Sequence, residues 1–386
     1  RNCGVMETTK LSTLDKWLSL NEEASTLDGA LATEAKVLLQ GLEFPHTRME
    51  EWKYTRTQKL AQGNWKLTAA EVHSDPEFEG SSELKGTNGK GYFSLLNSAY
   101  CTGAWSIEIP SNENLEEAFQ FVVKTNGQEI WTQPRLFISA KANSNSKFVI
   151  HFEGRDASFC NAVVQVVLED NARVDIDFIQ DNGADHFQIL DVNVGQAKGS
   201  YCNVVTHTLD GGWVRNNLLM TLEGEGGHAN LAGFYLPHNQ QFIDNHTVVD
   251  HQVPHCTSNE LYKGVLYDQS KGVFNGKVFV RRDAQKTEAY QSNKNIMMSD
   301  EAVIDTKPEL EIYADDVRCS HGSTTGQFDE EALFYLRARG LSAEGAKQLL
   351  VSAYVNEVID RSQNPAVVAF VKNELSRRGR IIADEI

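Results

Sequence analysis

The chain has 386 residues, enough to bury a full core in one large domain or several smaller ones. Its 53 Asp and Glu against 36 Lys and Arg leave a formal charge of −17, which favours solubility and argues against the basic stripe of a nucleic-acid surface. No apolar stretch is long enough to span a bilayer. No secretory signal is expected either, because residues 1–20 are mixed and carry Lys10, Asp15 and Lys16.

Residues 1–5 precede Met6 and read as residual sequence. The first quarter then reads helical, with Leu11, Leu14 and Leu18, and later Ala30, Ala35, Leu38 and Leu39, at helix-like intervals. Gly41 follows as a C-cap and Pro45 lies shortly beyond. Met49-Glu50-Glu51-Trp52-Lys53-Tyr54 reads as a short helical turn or a structured loop. Residues 74–91 are polar and Gly-rich, a connection rather than a core element.

From about residue 130 to 320 the pattern changes to short apolar or alternating runs. Examples are Val163-Val164-Gln165-Val166-Val167-Leu168 and Val174-Asp175-Ile176-Asp177-Phe178-Ile179, punctuated by Gly, Asn and Asp. These runs predict a mainly β body, with no long amphipathic helix to support βαβ crossovers. Spacing alone leaves a sandwich and a β-solenoid both open, and no clean sequence repeat is visible. The last sixty or so residues return to helix. Asp329 is an N-cap before Leu333 and Leu336, and Gly340 ends that segment. Ser342 caps a second helix with an apolar stripe of Ala346, Leu349, Leu350, Ala353 and Tyr354. Asn364-Pro365 starts a third.

Residues that carry chemistry are concentrated near 309–326. That stretch opens as an alternating strand, with Leu310, Ile312 and Ala314 on one face, and then places Cys319 and His321 two residues apart. Side chains at i and i+2 of an extended chain project to the same side, so a thiol and an imidazole share one surface, each suited to iron, zinc or sulfur. On spacing alone the favoured reading of the pair is a half-buried Cys beside a surface His; its context makes it a candidate site. The histidine run His246, His251 and His255 is a weaker metal candidate, because His246 and His251 face opposite sides of a strand and Pro254 breaks regularity. Arg281, Arg282, Lys286 and Lys294 collect positive charge that would suit a persulfide, an anion or an acidic partner. No phosphate-binding Gly-x-x-x-x-Gly-Lys-Ser/Thr loop, nucleophile elbow or His-Glu-x-x-His helix is present. The six cysteines, Cys3, Cys101, Cys160, Cys202, Cys256 and Cys319, have no paired CxxC spacing, so reduced thiols and a cytoplasmic protein are expected.

The blocks around Cys319-Ser320-His321-Gly322 resemble the SufD family of the SUF iron–sulfur cluster assembly system. The likeness continues through Gln327-Phe328-Asp329-Glu330-Glu331-Ala332-Leu333-Phe334-Tyr335-Leu336. It extends upstream to His255-Cys256-Thr257-Ser258-Asn259, Tyr262-Lys263-Gly264-Val265-Leu266, Phe274-Asn275-Gly276-Lys277 and Asn293-Lys294-Asn295-Ile296-Met297-Met298-Ser299, and to Glu51-Trp52-Lys53-Tyr54-Thr55 near the start. The sister family SufB shares the architecture but differs at Cys-Ser-His-Gly.

The resemblance implies a right-handed parallel β-helix core at residues 91–325, between an N-terminal helical region at 1–90 and a C-terminal one at 326–386. It implies a non-catalytic scaffold that pairs with SufB and docks the SufC ATPase. It implies no cofactor when isolated, and a transient iron–sulfur cluster at the SufB–SufD interface. His321 is then the prime cluster ligand and Cys319 a second candidate. Phe334, Tyr335, Leu336, Leu349, Leu350 and Tyr354 become the expected ATPase-docking residues. Alone, the chain would be free to form a homodimer through uncovered strand edges. The competing expectations are a β-helix enzyme acting on acidic polysaccharide and a purely structural adaptor of the same complex.

Overall fold

A computed structural model describes residues 12–382. Leu11, Cys3 and residues 1–5 lie outside them. Helix α1 (Thr13–Ser19) opens with a capping box between Ser12 and Asp15, and α2 (Ala30–Gln40) closes at Gly41. A 3₁₀ turn at Glu50–Trp52 and the short α3 (Gln58–Gln62) follow. Two strands then leave this region, Lys66–Leu67 and Glu71–Asp75, and join the sheets of the β body. Beyond the polar connection lies α4 (Tyr92–Ala99), which the sequence pattern did not predict. Every one of its residues is buried, so it carries no polar face and shows no amphipathic stripe.

From Gly103 to Gly326 the chain winds as a parallel β-solenoid of about eight turns. One sheet has ten strands and the other nine. Neighbouring strands within a sheet are separated in sequence by a strand of the opposite sheet, so most coils give one strand to each. Parallel pairing normally needs a crossover segment; here the opposite sheet supplies it without helices. The exception is Glu71–Asp75, which pairs antiparallel with Asn114–Thr125. Val166, Val194, Met220, Val249, Val278 and Leu310 stand beside one another on six successive strands, and such inward columns form the core between the sheets. At one corner, Asn143, Asn171, Gly199 and Gly226 all take left-handed backbone angles. Asn and Gly tolerate that conformation best. Amide side chains ladder along it, with Asn171 Nδ2 donating to Asn143 Oδ1 at 3.2 Å and Asn143 Nδ2 to Asn112 Oδ1 at 3.1 Å.

The outer face of the ten-stranded sheet carries an aromatic column, Trp131, Phe159, Phe187, Trp213 and Phe242, in register on consecutive strands. Trp17, Trp65 and Phe93 cover it, burying α1 and α4 against the sheet. The outer face of the other sheet is covered by the C-terminal helices α6 (Ala343–Ile359) and α7 (Pro365–Arg377). Ser342 and Asn364 cap them as expected, and Asp329 caps α5 (Glu330–Ala338). The stripe of α6 needs correction. It packs through Ala346, Val351, Val355, Val358 and Ile359, whereas Leu349 and Ala353 face solvent. The helix is apolar on more than one side, so spacing alone could not choose the buried one.

Both ends of the chain are tied to the solenoid by buried polar groups. Asp177 accepts a hydrogen bond from Ser362 (2.8 Å) and lies 2.8 Å from His207 Nε2; Arg378 bridges Asp181 (2.9 Å) and Asp210 (3.3 Å). Lys263 donates to the Tyr354 carbonyl at 2.7 Å and sits over the Tyr354 ring. At the other end, Trp52 stacks on Arg215, 3.8 Å from guanidinium carbon to ring centre, and Arg215 pairs with Asp244 at 2.9 Å. Thr55 donates a short hydrogen bond to the same carboxylate.

Candidate functional site

The solenoid ends on the strands Val303–Ile312 and Arg318–Gly326, each at the edge of its sheet. Along one inward row of the nine-stranded sheet, Cys202, Ala229, Ser258, Ala289 and Cys319 succeed one another. The next inward row runs through Glu260, Gln291 and His321, and a third through Tyr262, Asn293 and Ser323. Burial persists to the penultimate strand and then stops. Gln291 and Asn293 are buried, Cys319 is half-buried and His321 and Ser323 are exposed. Cys319 and His321 therefore stand on one face, about 7 Å apart along the strand, at the uncovered end of the core. Ser323 Oγ lies 3.0 Å from Thr306 Oγ1 on the opposing strand and closes the polar side of this mouth.

Burial pushes the Cys319 thiol up from its ordinary range, with a backbone hydrogen bond at Ala289 acting against it. It is thus a protonated thiol at neutral pH until something displaces its proton, not an activated nucleophile. Among the described residues, no group of three or more His, Cys, Asp or Glu could hold a metal ion.

Directly behind His321, Gln291 Nε2 donates to Glu260 Oε2 at 2.8 Å, and Thr247 donates a short hydrogen bond to Glu260 Oε1. Burial pushes the Glu260 carboxyl up to about 7 against these two donors, which favour its ionised form. A carboxyl raised in the folded state adds stability that is complete below the unfolded value, about 4.3, and is lost as pH rises through the folded value. Glu260→Gln removes this titration. The denaturant midpoint of the variant is expected to exceed that of the parent at about pH 8.5, with the gap shrinking towards pH 5. A gap that does not change with pH would contradict a buried, titrating Glu260.

The other sequence candidates separate in space. His246 faces outward, with Nε2 2.9 Å from Asp244 Oδ1; burial and the Arg215 charge hold its pKa below the ordinary range. His251 faces inward, 2.9 Å from Ser258 Oγ. The strand ends at His251, and His255 sits in the left-handed corner at φ 61°, so His251 and His255 share no strand face. The basic segment is likewise divided. Arg281 makes two bonds to Asp250, at 2.8 and 3.0 Å, and Lys286 pairs with Asp316. Phe334 and Tyr335 on α5 are 74% and 56% exposed, and Leu336 is half-buried. Leu349 is exposed, Leu350 half-buried, and Tyr354 packs over Lys263 against the β body.

What sequence reasoning missed is the Trp52–Arg215–Asp244 cluster, whose only local sign was the block Glu51-Trp52-Lys53-Tyr54-Thr55. Thr55, in that block, lies 189 residues from the Asp244 to which it donates.

Residues 122–354 match the family model described as SUF system FeS cluster assembly, SufBD core domain. An iron–sulfur cluster assembly SufBD family protein of Synechocystis is 29% identical, with 90% of this chain aligned to 92% of that protein. The iron–sulfur cluster assembly protein SufD of Escherichia coli is 25% identical over 95% of this chain and 96% of its own length. A SufBD family protein of Mycobacterium bovis is 28% identical over 87% and 91%. The family match runs from the first coil of the solenoid, in the strand Asn114–Thr125, through its open end into α6, and the alignments extend to nearly the whole length of both partners. With its solenoid, its terminal helices and its Cys-Ser-His-Gly end strand, the chain belongs to the SufBD family of SUF-system iron–sulfur cluster assembly proteins and is of the SufD type.

Proposed function

We propose that this chain is a non-catalytic scaffold subunit that pairs with a SufB-type chain, docks a SufC-type ATPase and contributes His321 to a nascent iron–sulfur cluster built at the junction. The cluster is cargo, passed on after assembly. One observation carries this reading: an accessible imidazole and a half-buried thiol share a face at the uncovered end of the solenoid, between two strand edges. A cluster takes about four protein ligands, and this mouth offers two, so a second chain has to complete the set. Strand edges with free N–H and C=O groups favour pairing with another strand, which would bring that chain's ligands to His321. With no such partner, the same edges are expected to join two copies of this chain. None of the helices among the described residues is long and apolar enough to cross a membrane, and the free cysteines suit the reducing cytoplasm proposed for it.

Docking of the ATPase is assigned to α5, because Phe334 and Tyr335 project from it into solvent. Leu336 stands on the same helix and Leu349 and Leu350 on α6, whereas Tyr354 of α6 turns to the β body. Co-expression with SufB- and SufC-type chains of the same genome should yield a ternary complex. Phe334→Asp should lose the ATPase, weakening that contact at least tenfold, while the SufB-type chain stays bound and the circular dichroism is unchanged. An ATPase retained at parental affinity by the Phe334→Asp chain would remove α5 from the interface.

A further inference from the structure

The mouth of the solenoid holds one polar atom that the fold leaves unused. Gln291 is 3% exposed and lies beside His321 in the parallel ladder, with both side chains on the inward face. Adjacent strands run about 4.8 Å apart, so the two side chains are neighbours. The Gln291 amide nitrogen is committed to Glu260 Oε2, but its Oε1 is buried and accepts no hydrogen bond from any described residue. A buried acceptor without a donor is costly, and a structural glutamine would normally avoid that by turning its amide.

The hydrogen bond to Glu260 opposes that turn, in a space otherwise closed around the amide. Thr247 donates to Glu260 Oε1, leaving Oε2 as an acceptor that only the nitrogen end of Gln291 can satisfy when the carboxyl is ionised. Gly276 stands against the amide, where a Cβ would approach Gln291 Nε2 to 2.4 Å, so the space is fitted to this side chain. The neighbouring amide acceptor, Asn293 Oδ1, is already occupied by Asn295 Nδ2 at 2.7 Å and Thr306 Oγ1 at 3.0 Å. It does not compete for a new donor.

We infer that Gln291 is the positioning residue of His321: its amide oxygen accepts the N–H of one imidazole nitrogen, and Glu260 fixes the amide in the orientation that offers this oxygen. A histidine that ligates a metal through one nitrogen is oriented by what the other nitrogen donates to. With one nitrogen held by Gln291, the other is unprotonated and free for iron. The inference rests on the proposed role of His321 as a ligand, but the hydrogen bond itself is testable without any cluster.

The probe is the isolated chain labelled with ¹⁵N-histidine, read by long-range ¹H–¹⁵N correlation at a pH where imidazole is neutral. The His321 signals are assigned by their disappearance in His321→Ala. In the parent, His321 should be held as a single neutral tautomer. In Gln291→Met, which keeps the shape and removes the acceptor, both tautomers should appear. Gly276→Ala, which keeps the glutamine but displaces its amide, should have the same effect. In the assembled complex, Gln291→Met should lower cluster loading about 10- to 100-fold. A parental His321 that already exchanges freely between tautomers would overturn the inference, whatever the variants do, and so would an unchanged single tautomer in Gln291→Met. A single tautomer lost in Gln291→Met, combined with normal cluster assembly by His321→Ala, would leave the hydrogen bond standing and remove only the ligand role.

Discussion

His321→Ala should abolish cluster assembly in cells while leaving the fold and the partner contacts intact. The side chain is exposed at the end of the solenoid, so its removal creates no cavity, and the one buried atom it would leave without a donor is Gln291 Oε1. The loss of that one donor costs at most about 1–3 kcal/mol, well below the stability of a folded domain. The loss would therefore be one of chemistry. Of the two ligands proposed for a cluster at the mouth, Cys319 alone would be left, a thiol whose pKa burial raises. The check is complementation of a strain that depends on the SUF system, alongside co-purification of the partner chains. Cluster assembly at the parental level by a folded, partner-bound His321→Ala chain would turn the protein into a purely structural adaptor.

Asp244→Ala should cost about 3–5 kcal/mol of stability. Asp244 is fully buried and Arg215 nearly so, and the pair is closed over by Trp52 and Thr55. Burial alone would raise the Asp244 carboxyl, but His246 and Arg215 hold it below the ordinary carboxylate range. Removing it strands a buried guanidinium, and Thr55 beside Trp52 loses the carboxylate to which it donates. Arg215→Met in the Asp244→Ala background removes the stranded charge and should recover much of the loss. Urea unfolding of the two variants measures this directly, and limited proteolysis should show earlier cleavage near residues 49–57 in the single variant. An Asp244→Ala chain as stable as the parent would mean that Arg215 finds another anion or reaches water.

The helices at the two ends were legible because their signals are local. Ser342, Asp329 and Asn364-Pro365 cap where their side chains can reach free N–H groups, and the structure uses all of them. The helix α4 was not legible, since a segment buried on every side shows no contrast between faces. The coils hid their repeat for two reasons. Equivalent positions on successive coils lie from 26 to 32 residues apart, so no fixed period exists. The inward rows also change chemistry, as where Ile176, Val204 and Leu231 give way to Glu260, Gln291 and His321. Many strands are covered on both faces, which further blurs alternation.

Of the site, the common face of Cys319 and His321 follows from strand geometry alone. That this strand is the last and uncovered one does not, because exposure there depends on which coil has no neighbour. The same limit explains α6, where the buried side was set by Val205, Phe234 and Leu261 on the sheet beneath it. It also explains Arg215 and Asp244, which meet the block at Trp52 only after some 160 to 189 residues of intervening chain have folded.

The most direct test of the account is electron spin-echo spectroscopy of the cluster after anaerobic reconstitution and reduction. This chain would be prepared with ¹⁵N-histidine and mixed with unlabelled SufB- and SufC-type partners. A ¹⁵N coupling of directly bound imidazole is the expected result, absent when the labelled chain carries His321→Ala. A reduced cluster at full occupancy with no ¹⁵N coupling from this chain would contradict the assignment of His321 as a cluster ligand.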